Sequence, residues 1–252
     1  MVTSKRWKIA QKSEKEYWGN FTKEDLLREE TERHKRKAET LKEQWKKYII
    51  LNKKSKILQI GCGPEDIINY LNIGNRYAID PLADFYKEKF KFDYGGVKFL
   101  KARGEKLPFK TNFFDIVVLT NVLDHTENPK KALLEIKRVL KQDGIFYFEN
   151  FFYQKSFINL SKIWGFIKKL FSNEIFNVHH PYMFTLNNIK DLISSQFKII
   201  YDEVGKSLFD EIKDFKDMKY KKIHDKKFST KILARFGIYG IINYNVICKK
   251  SN

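Results

Sequence analysis

The chain has 252 residues, enough for one sizeable α/β domain with additions, and its 42% hydrophobic and 15% aromatic content excludes general disorder. The net charge of +18 comes from 41 Lys and only 8 Arg. Nucleic-acid readers favour the planar Arg fork, so this excess reads as compositional drift and a nucleic-acid partner is not favoured. Two distant cysteines, Cys62 and Cys248, exclude a disulfide framework and a zinc motif and fit a reduced, cytoplasmic compartment. Residues 1–11 lack the apolar core of a secretory signal, and no run reaches the roughly 18 apolar residues of a membrane span.

In chain order, Tyr17-Trp18-Gly19 forms an aromatic segment suited to folding over a pocket. Residues 22–50 read as one long charged helix with a stripe of Leu27, His34, Ala38, Leu41 and Trp45. The pattern then changes. Residues 56–60 form a short apolar strand that ends in Gly61-Cys62-Gly63-Pro64, and a helix is expected over 65–71 with Pro64 in its first turn. Strands follow at 76–80, 97–101, 113–120 and 145–149, with helices at 83–90 and 129–141, the last stopped by Asp143-Gly144. Alternating strands and helices imply a parallel sheet with helices on both faces. Beyond residue 150 the alternation lapses into an aromatic and basic stretch, read as a cap insertion over about 151–186. A helix at 187–194, a strand at 197–204, a charged region at 205–238 and a final strand at 240–248 complete the chain. The expected division is an N-terminal helical extension, 1–52, and one α/β domain, 53–252.

The turn after the first strand has a physical task. Gly61 and Gly63 let backbone approach a ligand closely, and Asp80, 17 residues on, stands where an acid accepts two ribose hydroxyls. The third glycine of a dinucleotide loop is missing. Glu65 and Asp66 stand there and would repel a pyrophosphate, so a phosphate-free nucleoside cation such as S-adenosylmethionine suits the turn better.

Three stretches, 57–67 (ILQIGCGPEDI), 77–81 (YAIDP) and 104–150 (from GEKLPF to YFEN), resemble the class I methyltransferases of the type 11 group. The resemblance implies a Rossmann-like, seven-stranded, mostly parallel sheet with its last strand antiparallel, and S-adenosylmethionine as cofactor. It implies that Gln59, Gly61, Cys62 and Gly63 lie by the methionine and ribose moieties, Asp80 and Pro81 by the ribose, Gly104 and Glu105 by the adenine, and Asn121 and Val122 by the methionine. Two departures stand out, because Gln59 and Arg103 occupy positions where such families usually carry acids.

Methyl transfer to a hydroxyl needs alignment and removal of a proton. His125, just past the fourth strand, is the first candidate base, with Asp124 to orient it and His180 as a second candidate. Trp18, Glu149, His179 and Tyr182 are candidate substrate contacts, and Phe151, Phe152, Tyr153 and Trp164 candidate walls. No acid at ligand spacing accompanies the paired histidines, so no metal is expected. The expected function is methyl transfer to a hydroxyl or amine of a small molecule or glycan precursor, by a monomer or homodimer. RNA methylation and a catalytically inactive binding protein of the same fold are the alternatives. The basic amphipathic stretch 155–171 leaves room for peripheral membrane contact, although a cap over the substrate pocket is favoured.

Overall fold

The computed structural model describes residues 2–29, 31–171, 180–205 and 241–251. Three helices come first: α1 (Ser4–Gly19), α2 (Lys23–Glu29) and α3 (Thr31–Trp45). The α/β part runs β1 (Lys56–Ile60), β2 (Asn75–Asp80), α4 (Ala83–Phe90), β3 (Lys98–Lys101), β4 (Phe114–Thr120), α5 (Pro129–Val139) and β5 (Leu140–Tyr153). It ends with α6 (Lys155–Phe171), α7 (Leu186–Ser194), β6 (Phe197–Val204) and β7 (Ile241–Lys250). No helix among the described residues is long and apolar enough to cross a membrane.

The seven strands form one sheet in the order β3-β2-β1-β4-β5-β7-β6. Strands β1 to β5 pair in parallel, while β7 runs antiparallel to both β5 and β6, as the resemblance implies. The near-continuous apolar runs of β1 and β4 suit strands covered on both faces. One face carries a core of Leu58, Leu119, Phe146, Phe148 and the inward side of α5 (Leu133, Ile136). The other packs Ile57, Val118 and Tyr147 against Ala38, Leu41 and the fully buried Trp45 of α3. Each of these large side chains contributes roughly 1.5–3 kcal/mol by leaving water.

Several local expectations are corrected. Residues 65–71 do not make a helix; a single 3-10 turn, Ile67–Asn69, is capped by Asp66, whose carboxylate accepts from the Ile67 N–H at 2.6 Å. The predicted helix 22–50 is replaced by α2 and α3 and stops at Trp45. Helix α5 stops at Val139, before Asp143-Gly144. A Cβ on Gly144 would lie 2.9 Å from the Asp115 carbonyl, so that glycine serves a close strand approach and not a helix stop. Helix α1 falls in the helical extension expected over 1–52, although its residues were not read as a helix of their own. It starts at Thr3, whose side chain accepts from the Arg6 N–H at 3.2 Å. The expected charged region 205–238 lies almost wholly outside the described residues.

Candidate active site

The strand order reverses between β1 and β4, and open α/β sheets place ligands at the carboxyl edge of such a reversal. A cavity of about 510 Å³ lies there, walled by the loops after β1, β2, β3 and β4 and roofed by α1 and α3. Gly61 and Gly63 have φ of +66° and +57°, a left-handed backbone that favours glycine. A Cβ on Gly61 would also collide with the Val122 side chain. The two loops therefore meet backbone to side chain, leaving the turn open to a ligand.

Asp80 ends β2 within the cavity wall and is 8% exposed. Its Oδ2 accepts from the Gly63 N–H at 3.1 Å and its Oδ1 from the Leu82 N–H at 2.8 Å. These bonds fix the carboxylate but leave lone pairs for two further hydroxyl donors. Burial pushes its pKa up to about 6, against the two N–H donors that favour the charge.

The Gln59 departure has a structural answer. Gln59 is fully buried beneath the cavity and is not part of its wall. Its amide donates to Asp66 Oδ2 and its Oε1 accepts from the Ile68 N–H at 3.0 Å. Asp66 does line the cavity, together with Glu65 and, from α3, His34. The His34 ring lies 3.9 Å from Glu65 and 3.8 Å from Asp66. Burial raises the Glu65 pKa, but bonds from His34, Tyr70 and Thr31 outweigh it and hold the carboxyl below its ordinary value. An acid is thus present on this side, delivered by the loop after β1 and not by β1 itself.

On the opposite side, Asn121, Val122 and His125 line the cavity after β4. Asn121 has φ +53°, and its buried Oδ1 has no hydrogen-bond partner. Asp124 does not orient His125 by a hydrogen bond: it binds His180 Nδ1 at 2.7 Å and lies 3.9 Å from His125 Nε2. The two imidazole centroids are 4.6 Å apart. Burial opposes the charge on both members of the Asp124–His180 pair. Their neighbours outweigh it, holding the Asp124 carboxyl below and the His180 imidazole above their ordinary values. The acid that the histidine spacing lacked in sequence is therefore Asp124, 56 residues from its partner.

Other expected contacts divide. Cys62, Pro81, Gly104, Glu105 and Trp18 line the cavity. Glu105 accepts from the Glu127 N–H at 2.7 Å, which steadies the loop after β4. Glu149 does not line the cavity; it is held by Lys37 at 2.7 Å and the Tyr147 hydroxyl at 2.8 Å. Tyr182 works outside the cavity wall: its hydroxyl donates to the Glu127 carbonyl at 2.9 Å and accepts from the Val2 N–H at 2.8 Å. Phe151 reaches the cavity, whereas Phe152 and Tyr153 are buried in the fold. His179 and the Trp164 side chain lie outside the described residues. Arg103 pairs with Glu127 and lays its guanidinium 3.8 Å over the Trp7 ring.

Sequence reasoning missed Trp7, Gln11 and Glu14, which with Trp18 form the cavity face of α1. Their spacing of four, three and four residues was the available signal. Trp7 Nε1 donates to the His125 carbonyl at 3.1 Å, and Trp18 Nε1 to Glu14 at 2.8 Å. Glu65 and Asp66 were read only as carboxylates unfit for a pyrophosphate, not as contacts, and His34 only as part of a helix stripe.

These residues fit S-adenosylmethionine. The Gly61 cradle would be closed by a Cβ, while Glu65 Oε2 and Asn121 Oδ1 are buried acceptors without a donor. Five carboxylates (Glu14, Glu65, Asp66, Asp80, Glu105) line the cavity of a protein with net charge +18, as a cationic nucleoside requires. Residues 58–148 match the family model of the methyltransferase domain. Over 109 residues the chain is 34% identical to the ubiquinone/menaquinone biosynthesis C-methyltransferase of Campylobacter jejuni, covering 38% of this chain and 45% of that protein. Over 92 residues it is 37% identical to the mitochondrial arginine-hydroxylase of Homo sapiens, covering 35% of this chain and 26% of that one. The chain thus spans less than half the length of either relative. The PH0226 protein of Pyrococcus horikoshii shares the fold, with a TM-score of 0.57 at 17% identity over 94% of this chain and 99% of that one. Residues 58–148 thus form a methyltransferase domain, and with its glycine turn, the acid that ends β2 and the sheet order in place the chain resembles the class I S-adenosylmethionine-dependent methyltransferases.

Proposed function

We propose that the chain methylates a hydroxyl or amine of a small molecule or glycan precursor. The observation that carries this reading is Asp80, fixed by the Gly63 and Leu82 N–H groups in the same cavity that His125 faces from the other side. When bound, S-adenosylmethionine supplies a methyl group on a cationic sulfur. Asp80 accepts hydrogen bonds from the ribose hydroxyls, and Asp66 with Glu65 receives the cationic end of the methionine portion. Trp18 and Trp7, brought by α1, help to exclude water. His125 holds the proton released by the acceptor, its two ring nitrogens facing Glu14 Oε2 at 4.0 Å and Asp124 Oδ2 at 3.9 Å.

Calorimetric titration with S-adenosylmethionine and S-adenosylhomocysteine tests this first step. Asp80→Ala removes hydrogen bonds to a charged acceptor; the loss of one, about 1.5–3 kcal/mol, already lowers affinity roughly 10- to 150-fold, so the variant should lose at least that much. Unchanged affinity in the variant, or no binding by the wild type, would overturn the cofactor assignment. Binding of both ligands with no methylated product across sugars, quinols and small amines would instead favour a binding protein that retains the fold.

A further inference from the structure

Nothing in the proposed reaction requires Asp124 to be as buried as it is, or to have His180 behind it. Asp124 is 5% exposed, and its Oδ1 is a buried acceptor with no hydrogen-bond partner. An ionised carboxylate with one such oxygen is costly unless something positive reaches it. Around it, one ligand atom each from Asp124, His125 and His180 lies within 4.8 Å of the others. His180 Nδ1 is 2.7 Å and His125 Nε2 3.9 Å from Asp124 Oδ2. Metal–ligand bonds of about 2.1 Å in tetrahedral geometry set neighbouring donors roughly 3.4 Å apart, so these atoms need only small side-chain rotations.

We propose that Asp124, His125 and His180 bind one divalent transition-metal ion at the rim of the cofactor cavity. Two imidazoles and a carboxylate are the donor set of zinc and of iron, cobalt or nickel, not of magnesium or calcium, which prefer oxygen. The surroundings agree. A metal-bound histidine commonly turns its other ring nitrogen to a carboxylate, and His125 Nδ1 faces Glu14 Oε2 at 4.0 Å. Glu14 is held in turn by Trp18 Nε1 at 2.8 Å. His125 lines the cavity while Asp124 and His180 lie outside its wall, so an ion held by the three would sit at the cavity's edge. The inference rests on the proposed function only for what the metal does there. An acceptor hydroxyl bound to the ion would lose its proton to water, and the oxygen would then form its bond to the methyl carbon as the carbon–sulfur bond breaks toward sulfur. Metal and proton compete for the same imidazole nitrogens, so a loaded site replaces His125 as proton acceptor.

The test is titration of the full-length, chelator-treated protein with Co²⁺, followed by visible d–d absorption and by calorimetry. The expected result is one ion per chain with a d–d band of low coordination number. Affinity should fall more than about 100-fold in His180→Ala and in Asp124→Asn, and roughly 10-fold in Glu14→Gln, in line with the cost of losing an outer carboxylate. His34→Ala, in the other imidazole cluster, should bind Co²⁺ as the wild type does. Binding of S-adenosylhomocysteine by His180→Ala, whose side chain is 36% exposed, reports that the cavity is intact. No d–d band in the wild type, or equal Co²⁺ affinity in the wild type and His180→Ala, overturns the metal site. Co²⁺ binding without S-adenosylhomocysteine binding would leave the metal site standing and overturn the cofactor reading instead.

Discussion

Two clusters of imidazole and carboxylate adjoin the cavity, and they are built in opposite proportions. On the α3 side, one histidine, His34, stands beside two carboxylates, Glu65 and Asp66. On the β4 side, one carboxylate, Asp124, is shared by two histidines, His125 and His180. An excess of carboxylate favours a fixed cation. An excess of imidazole favours a group that exchanges protons or binds a metal near neutral pH. On the proposed function, these proportions mark a holding side and a reacting side.

His125→Ala should break the comparison most visibly. Turnover should fall about 10²- to 10⁴-fold while S-adenosylhomocysteine affinity stays within about twofold, because proton removal belongs to the reacting side. A matching loss of affinity in calorimetry would show that the sides are not separate. Asp66→Asn should do the reverse, weakening cofactor binding roughly 10- to 150-fold with little change in turnover at saturation. The readout is the split between KM for the cofactor and kcat.

The pH dependence sharpens the holding side further. The Asp80 pKa is pushed up to about 6 by burial, so falling pH protonates it there and removes an acceptor for the ribose. Cofactor affinity should fall by about tenfold per pH unit below that point if only the carboxylate form binds. The sign for stability is opposite. Asp80 holds its proton more tightly in the folded protein than in the unfolded chain, so its own contribution to apo stability grows as pH drops from 6 toward 4. Titration calorimetry and thermal melts over the same pH series separate the two trends. The smallest effect is expected from Tyr70→Phe, which removes one bond to Glu65 and should cost the cofactor roughly 2- to 10-fold, read by the same calorimetry.

Much of the holding side was legible in the sequence because it is local. A strand, Gly61-Cys62-Gly63, a second strand and Asp80 carry their roles in order and spacing, and the structure brings them to one cavity. Asp66 was not legible, since its place depends on a bond from Gln59 across the strand end and on a single 3-10 turn where a helix was expected. The reacting side was legible only in part. His125 follows from its place after β4, but the choice of His180 as Asp124's partner depends on how a distant segment returns to the sheet. Helix α1 was covered only by the general expectation of a helical extension, because Ala10 is its only buried residue among those described; what it brings to the cavity is a half-buried polar and aromatic stripe.

That stripe has a kinetic consequence. Helix α1 is pinned near its start by Val2 to Tyr182, one turn later by Trp7 to the His125 carbonyl and to Arg103, and near its end by Trp18 packed edge-on against Tyr86. If part of this clasp opens as the nucleoside enters, spent cofactor leaves past the same fastenings. The residence time of S-adenosylhomocysteine is then set by fastenings far from the sulfur, and product release becomes a candidate for the slowest step of the cycle.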